Sequence, residues 1–129
     1  MTRIEGRTPD APRPVAAYSQ AVRAGAFVSM AGQIGTDPAS GSLVSEDVGD
    51  QLVQAFRNSE AALRSLGASL DDVVRVEVYL ARLGDFAAMN ERYESIFRPP
   101  YPTRTTVGVE LPAGVGVEVT VLAVTGDAR

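Results

Sequence analysis

The sequence predicts an α+β domain in the order β-β-β-α-β-α-β-β, with its helices gathered on one side of a sheet. Two valine-rich stretches, Val73–Leu80 and residues 115–124, alternate with a period of two, as half-buried strands do. Residues 45–66 instead carry their apolar side chains at helical spacing, framed by capping residues. A second, shorter apolar-periodic stretch at 85–97 lies between the two alternating runs.

Each element can be justified in turn. Residues 3–6 read as a short strand. Residues 8–14 contain Pro9, Pro12 and Pro14, which forbid regular structure. Residues 21–23 and 27–32 read as two strands joined by a turn at Gly25. Asp37-Pro38 and Ser40-Gly41 mark the next turn. The long helix is expected over 45–66, with Ser45 as N-cap and with Glu46 and Asp47 where the helix dipole favours negative charge. Val48, Leu52, Phe56, Leu63 and Leu66 form its buried stripe, Ala55 and Ala62 allow close packing, and Gly67 ends it.

In Val73–Leu80, the alternation places Val74, Val76, Val78 and Leu80 on one face and Val73, Arg75, Glu77 and Tyr79 on the other. Asp85 is expected to cap a second helix that buries Phe86, Met89, Tyr93, Ile96 and Phe97 and stops at Pro99-Pro100. The last strands are expected over 104–110 and 115–124. Val115, Val117, Val119 and Val121 share a face, and Glu118, Thr120 and Leu122 share the other. That second face is too apolar for water yet dotted with Thr, Glu and Tyr, which implies cover by another subunit.

At 129 residues the chain is expected to be one domain over 1–129, without repeats or a long linker. Its composition, 45% hydrophobic and 22% charged, is that of a soluble globular protein. A net charge of −4 without a basic patch argues against nucleic acid as a partner. The charged N-terminus lacks the apolar core of a signal peptide, and residues 24–36 are too short and glycine-rich to span a membrane. A cytoplasmic location is the expectation.

The chain contains no His, Cys or Lys, and all twelve basic residues are arginine. This removes Ser-His and Cys-His catalysis, thiolate and imidazole metal sites, and a Schiff-base lysine. No metal and no cofactor is expected. The chemistry left belongs to Asp, Glu, Arg, Tyr, Ser and Thr. Arg104 stands at the mouth of a strand, and Glu118 stands in the middle of an otherwise apolar one. An arginine that can fork a carboxylate and a half-buried glutamate that can handle a proton suit a small-acid site. Taken alone, Arg104 also suits an interface ion pair, Glu118 a half-exposed strand position or an intersubunit salt bridge, and Tyr18 an interface plug. Tyr93 reads as core, Asp71-Asp72 as a solvated turn, and Gly114-Val115-Gly116 as a turn only.

A set of short motifs runs through the chain in order. It comprises Tyr18-Ser-Gln-Ala-Val22, Ala24-Gly25, Ala31-Gly-Gln-Ile34, Asp37-Pro38, the Gly41 turn and Asp71-Asp-Val-Val74. It continues with Asp85-Phe86, Met89-Asn90, Tyr93, Tyr101-Pro-Thr-Arg104, Leu111-Pro112 and Val117-Glu118. In this order and at these spacings the chain resembles the Rid (reactive intermediate deaminase) family, also called the YjgF family, from Pro14 to Ala123. The resemblance implies a chorismate-mutase-like α+β subunit in a homotrimer, with sheets facing inward and a cleft at each subunit interface. It implies hydrolysis of 2-imino acids and their enamine tautomers to 2-oxo acids and ammonia, without a cofactor.

Matched residue by residue, Arg104 corresponds to the arginine that clamps the substrate carboxylate, and Glu118 to the glutamate that positions water or passes its proton. Tyr18 corresponds to a tyrosine that borders the pocket from the neighbouring subunit. Backbone groups near Gly32 and Thr106 match ligand-contacting positions, and Asn90 matches a supporting asparagine. The chain departs from the family pattern at Ala31, where many members have Ser, and at Thr105-Thr106, where Ser-Cys or Ser-Ala is more typical. The connection from Arg104 to Leu111-Pro112 is one residue shorter than usual. These departures leave open two other readings: a 2-oxo acid binding or sensing module without turnover, and a deaminase of a specialised catabolic intermediate. An RNA-directed activity is disfavoured by the charge and by the lack of His and Lys.

Overall fold

The computed structural model describes residues 2–126, so Met1 and residues 127–129 of the expected 1–129 domain lie outside the described residues. The elements follow the expected order. They are β1 (Ile4–Gly6), β2 (Ala21–Ala24), β3 (Phe27–Met30), α1 (Val48–Arg64), β4 (Val73–Leu80), α2 (Phe86–Tyr93), β5 (Thr103–Gly108) and β6 (Val117–Val124). One six-stranded sheet has the spatial order β1-β2-β3-β6-β4-β5. Only β4 and β5 run parallel, and the crossover between them is α2; the other pairs are antiparallel.

The alternation of β6 holds throughout: Val117, Val119, Val121 and Ala123 are buried, while Glu118, Thr120 and Leu122 are half-buried on the opposite face. The buried set meets Leu52, Ala55, Phe56, Ala62 and Leu63 of α1, together with Val76, Val78 and Leu80 of β4. Phe56 makes edge-to-face contacts with Tyr93 and Phe97, with ring centroids 5.8 and 5.3 Å apart. Each such large side chain withdrawn from water contributes about 1.5–3 kcal/mol, so this single layer is the main source of stability. The other sheet face leaves Phe27 and Val107 exposed.

Several expectations are corrected. α1 begins at Val48, not Ser45. Asp47 is its N-cap and accepts from the Asp50 amide at 2.9 Å, while Ser45 only caps the preceding turn. A carboxylate accepts this bond as well as a hydroxyl does, and the residue nearer the apolar stripe wins. α1 also ends at Arg64, two residues short of the expected Leu66, but Gly67 still closes the turn: it has φ +79° and the Ala68 amide donates to Leu63, a bond pattern that needs a left-handed residue.

In β4, Val74 is exposed and Val73 buried, the reverse of strict alternation. A bulge between Val73 and Arg75 resets the register against β6, so the period of two holds only from Arg75 onward. Asp85 makes no side-chain cap, because a 3-10 turn over Leu83–Asp85 leads into α2. α2 stops at Tyr93, and Phe86 at its start is 41% exposed rather than buried. Asp72 is not solvated. It is buried, and its carboxylate accepts from the Ser69 amide in a capping box. The strands at 3–6, 27–32, 104–110 and 115–124 are each trimmed or shifted by up to two residues.

Candidate active site

Two clusters form around the expected site residues, on opposite faces of the sheet. The first surrounds Arg104. In β5, Arg104 and Thr106 pair in register with Val76 and Val78 of β4, so both point to the helical side. There the α2 face carrying Phe86, Asn90 and Tyr93, spaced four and three residues apart, meets the guanidinium. Arg104 Nη1 donates to Asn90 Oδ1 at 2.8 Å. The guanidinium carbon lies 4.5 Å from the centroid of the Tyr93 ring and 5.3 Å from that of Phe86. Asn90 Nδ2 in turn donates to Glu94 at 3.4 Å, which orients its oxygen toward Arg104.

Among the described residues Arg104 has no carboxylate partner. A guanidinium has five N–H donors, and only one of those on Arg104 is hydrogen-bonded. The rings attract the cation without occupying its donors, so the fork stays open to an anion. Tyr93 itself is buried, and its hydroxyl has no hydrogen-bond partner. Burial pushes that hydroxyl up to about 12, against the opposing pull of the Arg104 charge.

The second cluster surrounds Glu118. Gln33 and Val119 exchange backbone hydrogen bonds at 2.8 and 2.9 Å in an isolated bridge beside β6. That bridge lays Gly32 against the Glu118 side chain. A Cβ at position 32 would collide with Glu118 Oε2, so any side chain there would push the carboxylate aside. Burial raises the Glu118 carboxyl above the ordinary glutamate range, and no cation offsets the shift.

Tyr18 and Gly32 line the same groove, of about 560 Å³, together with Arg13 and Ile34. Tyr18 is 49% exposed and its hydroxyl accepts from the Val15 amide at 3.4 Å. The segment that presents it is held from below by Gln20. The Gln20 amide nitrogen donates to the carbonyls of Thr8, Ala11 and Pro12, and its oxygen accepts from the Thr8 amide. Those four bonds explain how a proline-rich stretch without secondary structure keeps one course.

The two clusters do not meet within one subunit. Arg104 is level with Val76 on β4, and Glu118 is level with Tyr79. Two strand spacings across and three residues along put their Cα atoms on the order of 14 Å apart, with side chains leaving opposite faces. The six expected residues therefore fall into an Arg104-Asn90-Thr106 group and a Tyr18-Gly32-Glu118 group. The sequence reading had missed Phe86 and Tyr93 as the bed of Arg104, and Gln20 and Gln33 as the supports of the second group. The spacing of Phe86, Asn90 and Tyr93 was visible, but which strand that face would meet was not. Among the described residues no group of three or more acidic side chains could hold a metal, and no helix is long and apolar enough to cross a membrane.

The six-stranded α+β topology, with an arginine that has no carboxylate partner on one side and a desolvated glutamate on the other, is the frame in which the chain compares with known proteins. The chain belongs to the family described as Endoribonuclease L-PSP, which matches residues 8–125 and is the Rid family of the resemblance. It is 44% identical over 117 residues to a RutC family protein of Pyrococcus horikoshii, covering 90% of this chain and 93% of that one. It is 41% identical over 113 residues to the 2-iminobutanoate/2-iminopropanoate deaminase of Dermatophagoides farinae, covering 87% of this chain and 88% of that one. Among solved structures it is similar to RidA from an Antarctic Psychrobacter, with a TM-score of 0.90 and 39% identity, covering 95% of this chain and 99% of that one.

Proposed function

We propose that this protein hydrolyses 2-imino acids and their enamine tautomers to 2-oxo acids and ammonia, at a site shared between neighbouring subunits of a homotrimer. The observation that carries this reading is the Arg104 guanidinium, held by two rings and one amide and left without a carboxylate of its own. A half-buried cation in that state suits a small carboxylate. The deaminase relative supports the reaction class.

In the assembled site, the Arg104-Asn90-Thr106 group of one subunit faces the Tyr18-Gly32-Glu118 group of the next. The exposed Phe27 and Val107 on the open sheet face support a covering partner. Arg104 forks the substrate carboxylate and fixes the imine carbon. The Glu118 carboxylate takes a proton from water as the water oxygen bonds to that carbon. That proton passes to nitrogen to complete a carbinolamine; Glu118 then carries the carbinolamine hydroxyl proton to the same nitrogen as the C=O bond forms and the C–N bond breaks, and ammonia leaves the 2-oxo acid. The raised proton affinity of Glu118 suits this work, because a more basic carboxylate is a better acceptor near neutral pH. Tyr18 closes the pocket, and the backbone near Gly32 and Thr106 contacts the ligand.

A coupled assay tests the proposal. Threonine dehydratase generates the imine in the presence of semicarbazide, and the yield of free 2-oxo acid is compared for wild type, Arg104→Ala and buffer. Diversion of the imine by wild type alone is expected. Wild type that binds 2-oxobutanoate yet matches buffer in the assay would make the protein a carboxylate sensor and sink the proposal.

A further inference from the structure

We infer that Tyr93, with Phe86, is a positioning residue for carboxylate recognition: the two rings form a clamp that sets the plane of the Arg104 guanidinium. The inference rests on the proposed role of Arg104. It goes beyond that role in assigning function to two residues that read as core.

The geometry points to it in three ways. The Arg104 guanidinium carbon is 4.5 Å from the Tyr93 centroid, well inside the range of cation–ring attraction, and 5.3 Å from the Phe86 centroid. The remaining protein contact is one bond to Asn90, which fixes a single nitrogen and leaves the fork free to rotate about it. A planar fork must be held in two directions to present parallel N–H groups to a carboxylate, and the rings supply the second. Finally, the Tyr93 hydroxyl is buried and unpartnered. The ring, and not the hydroxyl, is the part of Tyr93 that lies against the guanidinium.

Tyr93 is buried at 4% exposure among Phe56 and Phe97, which makes the platform rigid. Phe86, at 41%, is the outer wall. Its contact with the guanidinium explains why the first residue of α2 is aromatic at a position that contributes little to the core.

The test uses the full chain in its native assembly. Affinities for 2-oxobutanoate, the product of the proposed reaction, and for the uncharged 2-oxobutanamide are measured by calorimetry or NMR titration. The Arg104 Nε–H resonance, assigned by its loss in Arg104→Ala, reports the ring-current field directly. Tyr93→Leu and Phe86→Leu are each expected to weaken the acid about tenfold, leave the amide unchanged and move the Nε–H signal toward that of a solvated arginine. Tyr93→Phe is expected to restore acid binding and the shifted signal. Leu variants that bind the acid as wild type does, or that lose acid and amide alike, overturn the inference. Should Tyr93→Leu not fold, the exposed Phe86→Leu decides the matter alone. Arg104→Ala separates the two levels: if it binds the acid as wild type does, the clamp reading itself is wrong; if it loses the acid while the Leu variants do not, only the ring inference falls.

Discussion

The Arg104 group and the Glu118 group are built by different means. Arg104 is held by side chains of α2, a regular element whose other face is the hydrophobic core. Glu118 is set by backbone, a bridge at Gln33 and a glycine that leaves room, while Tyr18, on the same groove as that glycine, rides on a proline-rich segment pinned by Gln20. The first group is complete within one subunit. The second is open, and burial there is partial. A binding determinant can be pre-formed in an isolated chain, whereas a proton-handling group gains from the water exclusion that a partner surface brings.

The sharpest break in that comparison is Arg104→Ala. It should lower kcat/KM for the imine on the order of 1,000-fold, with melting temperature and assembly retained. Arg104→Lys should recover little of this, because an ammonium cannot fork a carboxylate.

Next in size is Glu118→Gln, expected to lower kcat by about 100-fold while product binding persists. If product binding falls instead, the division of labour between the groups is wrong. For wild type, kcat should fall on acidification through the raised Glu118 value, and therefore at a higher pH than an ordinary glutamate would give.

Gly32→Ala sharpens the second group further. The added methyl meets the mobile end of Glu118, not backbone, so stability should hold while kcat drops about tenfold. The smallest effect concerns stability against pH. Burial favours the protonated Glu118 in the folded state, so its contribution is fully present below the unfolded value and is lost as pH rises through the folded one. Glu118→Gln should therefore melt slightly above wild type at neutral pH, and the gap should close on acidification across that window.

Much of the fold was legible because period and burial coincide in this chain. β6 alternates without a fault, and the α1 stripe of Leu52, Phe56 and Leu63 is fully inside. What was not legible depends on register and on neighbours in space. The Val73/Arg75 bulge flips Val74 outward, and no local pattern announces it. The choice of Asp47 over Ser45 as cap turns on where the first core contact falls. For the site, Arg104 and Glu118 could be named from residue type and motif. That they leave opposite faces follows only from register, which sets Arg104 level with Val76 and Glu118 level with Tyr79 on β4. The aromatic bed of Arg104 was hidden for the same reason: Tyr93 does read as core, and it is core on one side only.

The account turns on the two groups meeting across a subunit boundary, and mixing two impaired variants tests this directly. Arg104→Ala and Glu118→Gln are each expected to be severely impaired, and on this account each site would take one group from each of two subunits. Co-refolding them in equal amounts should place two intact groups together at about a quarter of the sites, and restore a matching fraction of wild-type activity. Activity that stays at the sum of the two parents, in assemblies shown to be mixed, would contradict a shared site.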